Sequence, residues 1–415
     1  MNDLLSKHQF SLISNPNVAL SAPYGAEQAA VLNTEGLRTA RREISSWPGY
    51  QPTPLVTLSG LAKAANVGSL YYKDEGRRFG LGSFKPLGGA YAVFRVIEGE
   101  IRRTSGQQVT SIDLFDGAHR DVVADVTICA ATDGNHGRSV AWGARMFGCR
   151  CIIYINEAVS EGREKAIASY GAEVRRIPGS FDDAVRMASE ISDVEGWHVV
   201  PDTAAGGNVA AAGNVTQGYA LLADEVVSQL PENVIPTHLF IQAGVGGLAA
   251  ATCGQLWQAY GEKRPITVIV EPPSAACWFE SFKAGKPVII SGDLDSLMAG
   301  LACGVPSPLA WPILKSGAHA AMTIPDAAAV ETMRLLALGE GEDTAIVGGE
   351  SGVAGLAGFL LATKDTEARA QLHLNESSLV LVIGSEGDTD PGTYRDIVGR
   401  TGDEVRAVSA GGTRQ

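Results

Sequence analysis

What this 415-residue sequence lacks narrows its function before any motif is considered. It has no dense run of Lys and Arg and a formal net charge of −13, so a nucleic-acid backbone would find no basic patch, and a small molecule is the expected partner. No apolar stretch reaches the length of a membrane span. Residues 1–10 mix Asn, Asp, Lys and His among apolar residues and do not form the apolar run of a signal peptide. The six cysteines include no C-x-x-C pair, which argues against a zinc knuckle or a disulfide scaffold. No metal site is expected, the thiols read as buried small hydrophobes, and the compartment reads as reducing cytoplasm. Neither an internal repeat nor a low-complexity block is present.

What is there fits a globular α/β protein: 45% hydrophobic residues, 19% charged, and 49 glycines for strand-to-helix turns. The length suits two domains. Short β-branched runs alternate with longer amphipathic stretches, the pattern of βαβ units in parallel sheets. Residues 126–131, 150–155, 173–177 and 197–200 read as strands, with helices over 138–147, 162–170 and 182–194. A second set places strands at 237–242, 267–271 and 379–383 and helices at 248–260, 327–338 and 353–362. The expected division is a large cofactor-binding domain of residues 1–90 plus 216–415 and a small α/β domain of residues 91–215. Each is an open, twisted, mostly parallel sheet flanked by helices. The proline-punctuated N-terminal region is expected to wrap onto the large domain.

Three glycine-rich segments carry the chemistry. In Phe79-Gly80-Leu81-Gly82-Ser83-Phe84-Lys85-Pro86-Leu87-Gly88-Gly89-Ala90, a single lysine stands at the entrance of a helix over 90–97. Pro86 suits the first helical turn and biases Lys85 toward extended backbone. The positive end of the helix dipole disfavours an ammonium there and favours a nucleophilic amine. Alone, a lysine beside such a turn is usually just solvated. In Ala131-Thr132-Asp133-Gly134-Asn135-His136-Gly137, a strand ends and a helix opens. Its backbone N–H groups suit a substrate carboxylate, although a plain turn with a capping Asp or Asn reads equally well. In Gln242-Ala243-Gly244-Val245-Gly246-Gly247-Leu248, the same strand-to-helix geometry suits a phosphate. With Ala249 closing the pattern and Glu271 as the next strand-end acid, this loop also reads as a variant dinucleotide fingerprint, so a nicotinamide-dependent oxidoreductase competes.

Together these segments resemble the fold type II pyridoxal-phosphate enzymes, the tryptophan synthase β-like group that includes threonine and serine dehydratases and cysteine synthase. More closely, residues 80–92, 131–142, 201–203, 242–247, 298–304, 350–352 and 385–390 are similar to the diaminopropionate ammonia-lyase family. The resemblance implies pyridoxal 5'-phosphate carried on Lys85, with its phosphate on Gly244, Val245, Gly246 and Gly247. It places Asn135 at the phenolic oxygen and Ser385 at the pyridine nitrogen, where a hydroxyl leaves that nitrogen largely unprotonated. Substrate contacts would come from Thr132, Asp133, Gly134, His136 and Asp202. Asp133 would be a base on the face opposite Lys85, and Asp202 would hold the substrate's β-ammonium, although an isolated Asp in either loop is commonly a cap.

The reaction implied is elimination of ammonia from D- or L-2,3-diaminopropionate or a close analogue, giving pyruvate and ammonia, in a cytoplasmic homodimer. A serine, threonine or 3-hydroxyaspartate dehydratase keeps the chemistry with a hydroxyl leaving group. An inactive binding protein on the same scaffold is a further alternative. One departure bears on the substrate: the family's D-T-A-W-E-G-Y is here Asp202-Thr203-Ala204-Ala205-Gly206-Gly207-Asn208, so Ala205 and Asn208 replace two aromatics and should reshape the substrate side.

Overall fold

In the computed structural model, which describes residues 7–132, 134–204 and 208–411, the apolar runs become strands and the amphipathic stretches become helices. The strands are β1 (Ser11–Ser14), β2 (Leu55–Thr57), β3 (Ser69–Asp74), β4 (Thr127–Ala131), β5 (Arg150–Asn156), β6 (Glu173–Ile177), β7 (His198–Val199), β8 (His238–Gln242), β9 (Ile266–Glu271), β10 (Ala320–Thr323) and β11 (Leu379–Gly384). They belong to two compact units, one of Met1–Ala29, Pro52–Ser83 and Ala223–Gln415, the other of Ala30–Gln51 and Phe84–Leu222.

Two features of this division differ from the expected 1–90, 91–215 and 216–415. Residues 30–51 go with the smaller unit because the helix Thr34–Ser45 buries Leu37, Ala40 and Ile44 there. Trp47 Nε1 donates to Ser111 Oγ at 2.9 Å and Ser111 N donates to Glu43 Oε2 at 2.7 Å, which ties the segment in place. The later boundary falls inside the helix Val209–Gln229, which no capping or periodic signal had marked.

The larger unit holds a seven-stranded sheet in the order β1-β10-β9-β8-β11-β3-β2. Its interior pairs are parallel and its two edge strands antiparallel. Interior strands such as Leu239, Phe240 and Ile241 of β8 are covered on both faces, which is why they read as continuous apolar runs and not as alternating ones. Val268, Val270, Met322, Val380 and Val382 pack with Leu356, Phe359 and Leu360 of the helix Ala354–Lys364 to form the core. The smaller unit holds a parallel sheet in the order β6-β5-β4-β7, with Cys129, Ile152, Tyr154, Ala184 and Ala188 in its core.

The winding reverses once in each sheet. From β8 the chain builds outward through β9 and β10 on one side, while β11 returns on the other. From β4 it builds through β5 and β6, and β7 returns on the other side. Such reversals leave a crevice at the carboxyl ends of the strands, where open α/β sheets bind ligands. The glycine loop follows β8 and Ser385 follows β11; the Thr132 turn follows β4 and Asp202 follows β7. Each unit therefore presents its candidate residues at its own switch point.

The larger unit also contains a buried charge network. Lys73 Nζ donates to Glu225 Oε2 at 2.7 Å, Thr53 O at 2.8 Å and Gln229 Oε1 at 2.8 Å. Arg78 bridges Glu75 and Glu225, each at 2.7 Å. Burial pulls the Lys73 ammonium below its ordinary pKa, while Arg78 and Lys73 together hold Glu225 below the carboxylate range against its own burial. Among the described residues no helix is long and apolar enough to cross a membrane, and no three His, Cys, Asp or Glu side chains are grouped to hold a metal ion.

Candidate active site

In the smaller unit, Lys85 immediately precedes the helix Pro86–Ser105, with Pro86 at its first position as expected. Its backbone is helical (φ −52°, ψ −33°) and not extended. The steric bias set by Pro86 is overcome because Gly88 N and Gly89 N both donate to Lys85 O, at 3.1 and 2.9 Å, and hold the residue in the first turn. Gly88 lies flat against Tyr219, where a Cβ would collide with the ring, so the helix entrance and Tyr219 approach closely. The Lys85 ammonium sits between two rings, 5.3 Å from the centroid of Phe84 and 5.9 Å from that of Tyr219.

Its polar partner is Asp202: Nζ donates to Oδ1 at 2.8 Å and to Oδ2 at 2.5 Å. Tyr219 OH donates to Asp202 Oδ1 at 3.4 Å, and His136 Nδ1 lies 3.5 Å from the same oxygen. Burial alone would raise the Asp202 carboxyl, but the Lys85 ammonium outweighs it and holds it down at about 2. His136, expected to touch substrate, is only 3% exposed and stands behind Asp202, with Nε2 donating to Val200 O at 2.9 Å. Burial lowers its pKa, so the ring is neutral at neutral pH.

The turn after β4 is shaped by Thr132, whose Oγ1 accepts from Gly134 N and Gly137 N, both at 3.0 Å. Gly134 precedes the helix Asn135–Phe147, and Asn135 Oδ1 accepts from Arg138 Nη2 at 3.1 Å. Asp133 and Ala205 lie outside the described residues. Asn208 caps the helix Val209–Gln229: its Oδ1 accepts from Ala211 N at 3.1 Å and its Nδ2 donates to Val199 O at 2.9 Å.

In the larger unit the helix Gly247–Tyr260 opens at Gly246 with no side-chain cap, so no side chain of the cap residue covers its leading N–H groups. Gly246 has φ +99°, and a Cβ there would run into the Trp278 ring. Trp278 Nε1 also donates to Gly244 O at 3.0 Å, and the Cys277 thiol donates to the same oxygen at 3.7 Å. The loop is thus braced from one side by the start of the helix Cys277–Ala284. Glu271, pushed up to about 8 by burial, in turn accepts Trp278 N and Phe279 N, each at 2.8 Å. Ser385, 4% exposed, receives Gln242 Nε2 on its Oγ at 2.6 Å. Taken unit by unit, the groups are of kinds that pyridoxal phosphate takes: the larger unit offers an uncapped helix start and a buried hydroxyl, and the smaller one a primary amine.

Sequence reasoning passed over Tyr219, Trp278 and Gln242 as functional positions. Only Gln242 had a signal, as the polar residue that ends a buried strand after the apolar run Leu239, Phe240 and Ile241. Tyr219 and Trp278 act through tertiary contacts alone.

Comparison with known proteins agrees with this geometry. Residues 46–386 match the family described as pyridoxal-phosphate dependent enzyme. The diaminopropionate ammonia-lyase of Escherichia coli (strain K12) is 38% identical over 380 residues, covering 90% of this chain and 94% of that protein. The crystal structure of diaminopropionate ammonia lyase from Escherichia coli in complex with D-serine has a TM-score of 0.85 at 35% identity, covering 94% of this chain and 97% of that one. The same enzyme in complex with an aminoacrylate-PLP azomethine reaction intermediate has a TM-score of 0.79 at 34% identity over the same shares of both chains. The dinucleotide reading of the glycine loop is accordingly set aside. The chain belongs to the fold type II pyridoxal-phosphate-dependent enzymes, in the diaminopropionate ammonia-lyase family.

Proposed function

We propose that this chain eliminates ammonia from 2,3-diaminopropionate, producing pyruvate and two ammonia molecules with the uptake of one water. The observation that carries this reading is the half-buried Asp202 carboxylate gripping an ammonium, that of Lys85, at 2.8 and 2.5 Å. A carboxylate built to hold an ammonium favours a substrate with a β-amino group over one with a β-hydroxyl, which brings no charge to pair. The names of the relatives point the same way.

Bound pyridoxal phosphate supplies an electron-withdrawing ring conjugated to the substrate's α-carbon. Lys85 would hold it through its amine, Gly244, Val245, Gly246 and Gly247 would take its phosphate, Asn135 would face the phenolic oxygen and Ser385 the ring nitrogen. Thr132 shapes the turn proposed to receive the substrate carboxylate, its Oγ1 holding Gly134 N and Gly137 N. Lys85 takes the α-proton of the L-isomer and Asp133 that of the D-isomer, each from its own face. Asp202 keeps the β-amino group in its ammonium form, so that it departs as neutral ammonia. With Lys85 engaged elsewhere, the substrate ammonium replaces the one Asp202 loses, and the carboxylate is never left unpaired. Tyr219 positions Asp202 for this exchange. The enzyme works as a cytoplasmic homodimer, a reading that the six free thiols support for the compartment and sedimentation tests for the assembly.

The test is pyruvate and ammonia release from D- and L-diaminopropionate, D- and L-serine, L-threonine and 3-hydroxyaspartate. Diaminopropionate should have the highest kcat/KM, with two ammonia per pyruvate. A higher kcat/KM on a hydroxyl substrate would overturn the reading in favour of a dehydratase.

A further inference from the structure

Gln242 closes β8 and Ser385 follows β11, so two neighbouring parallel strands deliver them to the same end of the sheet. Gln242 Nε2 lies 2.6 Å from Ser385 Oγ, 2.9 Å from Ile383 O and 3.2 Å from Gly352 O. The two carbonyl oxygens can only accept, so the amide must face them with its nitrogen; reversed, its oxygen would meet both. Its own oxygen, Oε1, sits over Gly355 and is buried without a hydrogen-bond partner among the described residues. The amide orientation is therefore set by its surroundings, at the cost of an unpaired oxygen.

An amide nitrogen has two protons. With one directed to Ile383 O, the other falls to Ser385 Oγ at the shorter distance. A hydroxyl that accepts a hydrogen bond on its oxygen turns its own hydrogen away from that donor and becomes the stronger donor for it. Gln242 cannot accept that hydrogen, because it presents only N–H groups to Ser385.

We propose that Gln242 is a positioning residue that makes the Ser385 hydroxyl a one-way donor to the ring nitrogen of pyridoxal phosphate, keeping that nitrogen unprotonated. The inference rests on the assignment of Ser385 to the ring nitrogen and adds what decides the direction of that hydrogen bond. A serine alone could donate to a neutral nitrogen or accept from a protonated one. With Gln242 behind it, donation is favoured. The ring then withdraws electrons moderately, which favours elimination over transamination.

The experiment loads the holoenzyme with cofactor labelled with nitrogen-15 in the ring and follows that resonance against pH. In the unaltered protein the signal should stay at the neutral-pyridine position through the neutral range. In Gln242→Met, which keeps length and removes the donor, the freed hydroxyl also accepts, and the signal should move toward the pyridinium position and titrate. If Gln242→Met does not fold, Gln242→Leu carries the same test, since it too removes the donor, and the signal should again move and titrate. A pyridinium signal in the unaltered protein, or an unchanged neutral signal in a folded variant, overturns the proposal. Failure of the unaltered protein to retain the labelled cofactor overturns the reading of the site itself, a separate and distinguishable result.

Discussion

Two lysines in this chain pair with carboxylates at almost the same distance, and they do opposite things. Lys73 donates to Glu225 at 2.7 Å, and Lys85 to Asp202 at 2.5 Å. Lys73 and Glu225 are 0% and 3% exposed, and the three ammonium protons of Lys73 are spent on Glu225, Thr53 O and Gln229. Lys85 and Asp202 are 19% and 30% exposed, and the ammonium is otherwise flanked by the rings of Phe84 and Tyr219. A saturated ammonium in a closed network is a structural bolt. One whose single polar partner among the described residues sits at a half-open site can leave that partner for another. Saturation and exposure, and not the length of the bond, separate a lysine locked into the fold from one free to exchange its partner, as the proposed role of Lys85 requires.

The largest effect that would break this contrast is on Lys85→Ala. Turnover and covalent cofactor attachment should disappear, while stability stays within about 1 kcal/mol, as for a pair with access to solvent. A drop in melting temperature as large as that of a core variant would make Lys85 structural as well. Lys73→Met should do the reverse, costing about 1–3 kcal/mol in denaturant unfolding because Glu225 loses one of its two charged partners and keeps only Arg78, while the folded fraction keeps its kcat.

Asp202→Asn sharpens the contrast from the acid side. It should lower kcat/KM on diaminopropionate by about 2–3 kcal/mol, on the order of 10²-fold, through loss of a charged hydrogen bond, and lower that on D-serine much less. Equal losses on both substrates would mean that Asp202 only positions Lys85. The smallest effect concerns acid stability. Asp202 ionises at about 2 in the folded chain, below the roughly 3.9 of an unfolded aspartate, so its contribution is present above about pH 4 and is lost as pH falls toward 2. Melting curves across that window should flatten slightly in Asp202→Asn, and an unchanged slope would show that the depressed value has no energetic consequence.

The same contrast shows what could be read in the sequence. Most interior strands were legible because a parallel sheet buried on both faces demands unbroken apolar runs, as in β8, β9 and β11. Lys85 and the glycine loop were legible because helix starts that bind anions or present a nucleophile need glycine and proline at particular offsets. The strands β1, β2, β3 and β10 and the helix Val209–Gln229 were not, since β1, β2 and β10 are only three or four residues long, β3 mixes polar and charged residues into its run, and a helix apolar over much of its surface carries little periodicity. Nothing local distinguishes Lys73 from Lys85 as buried or half-open, because Glu225 and Asp202 reach them only through tertiary folding. The departure at Asn208 looked like a missing aromatic, and the structure shows it as the cap of the helix that carries Tyr219.

The most direct measurement is borohydride reduction of the cofactor-loaded protein followed by peptide mass mapping. The account predicts a pyridoxyl adduct on the peptide containing Lys85 and unmodified Lys73. An adduct on Lys73 or any other lysine, or none in a protein that still releases pyruvate and ammonia from diaminopropionate, would contradict it.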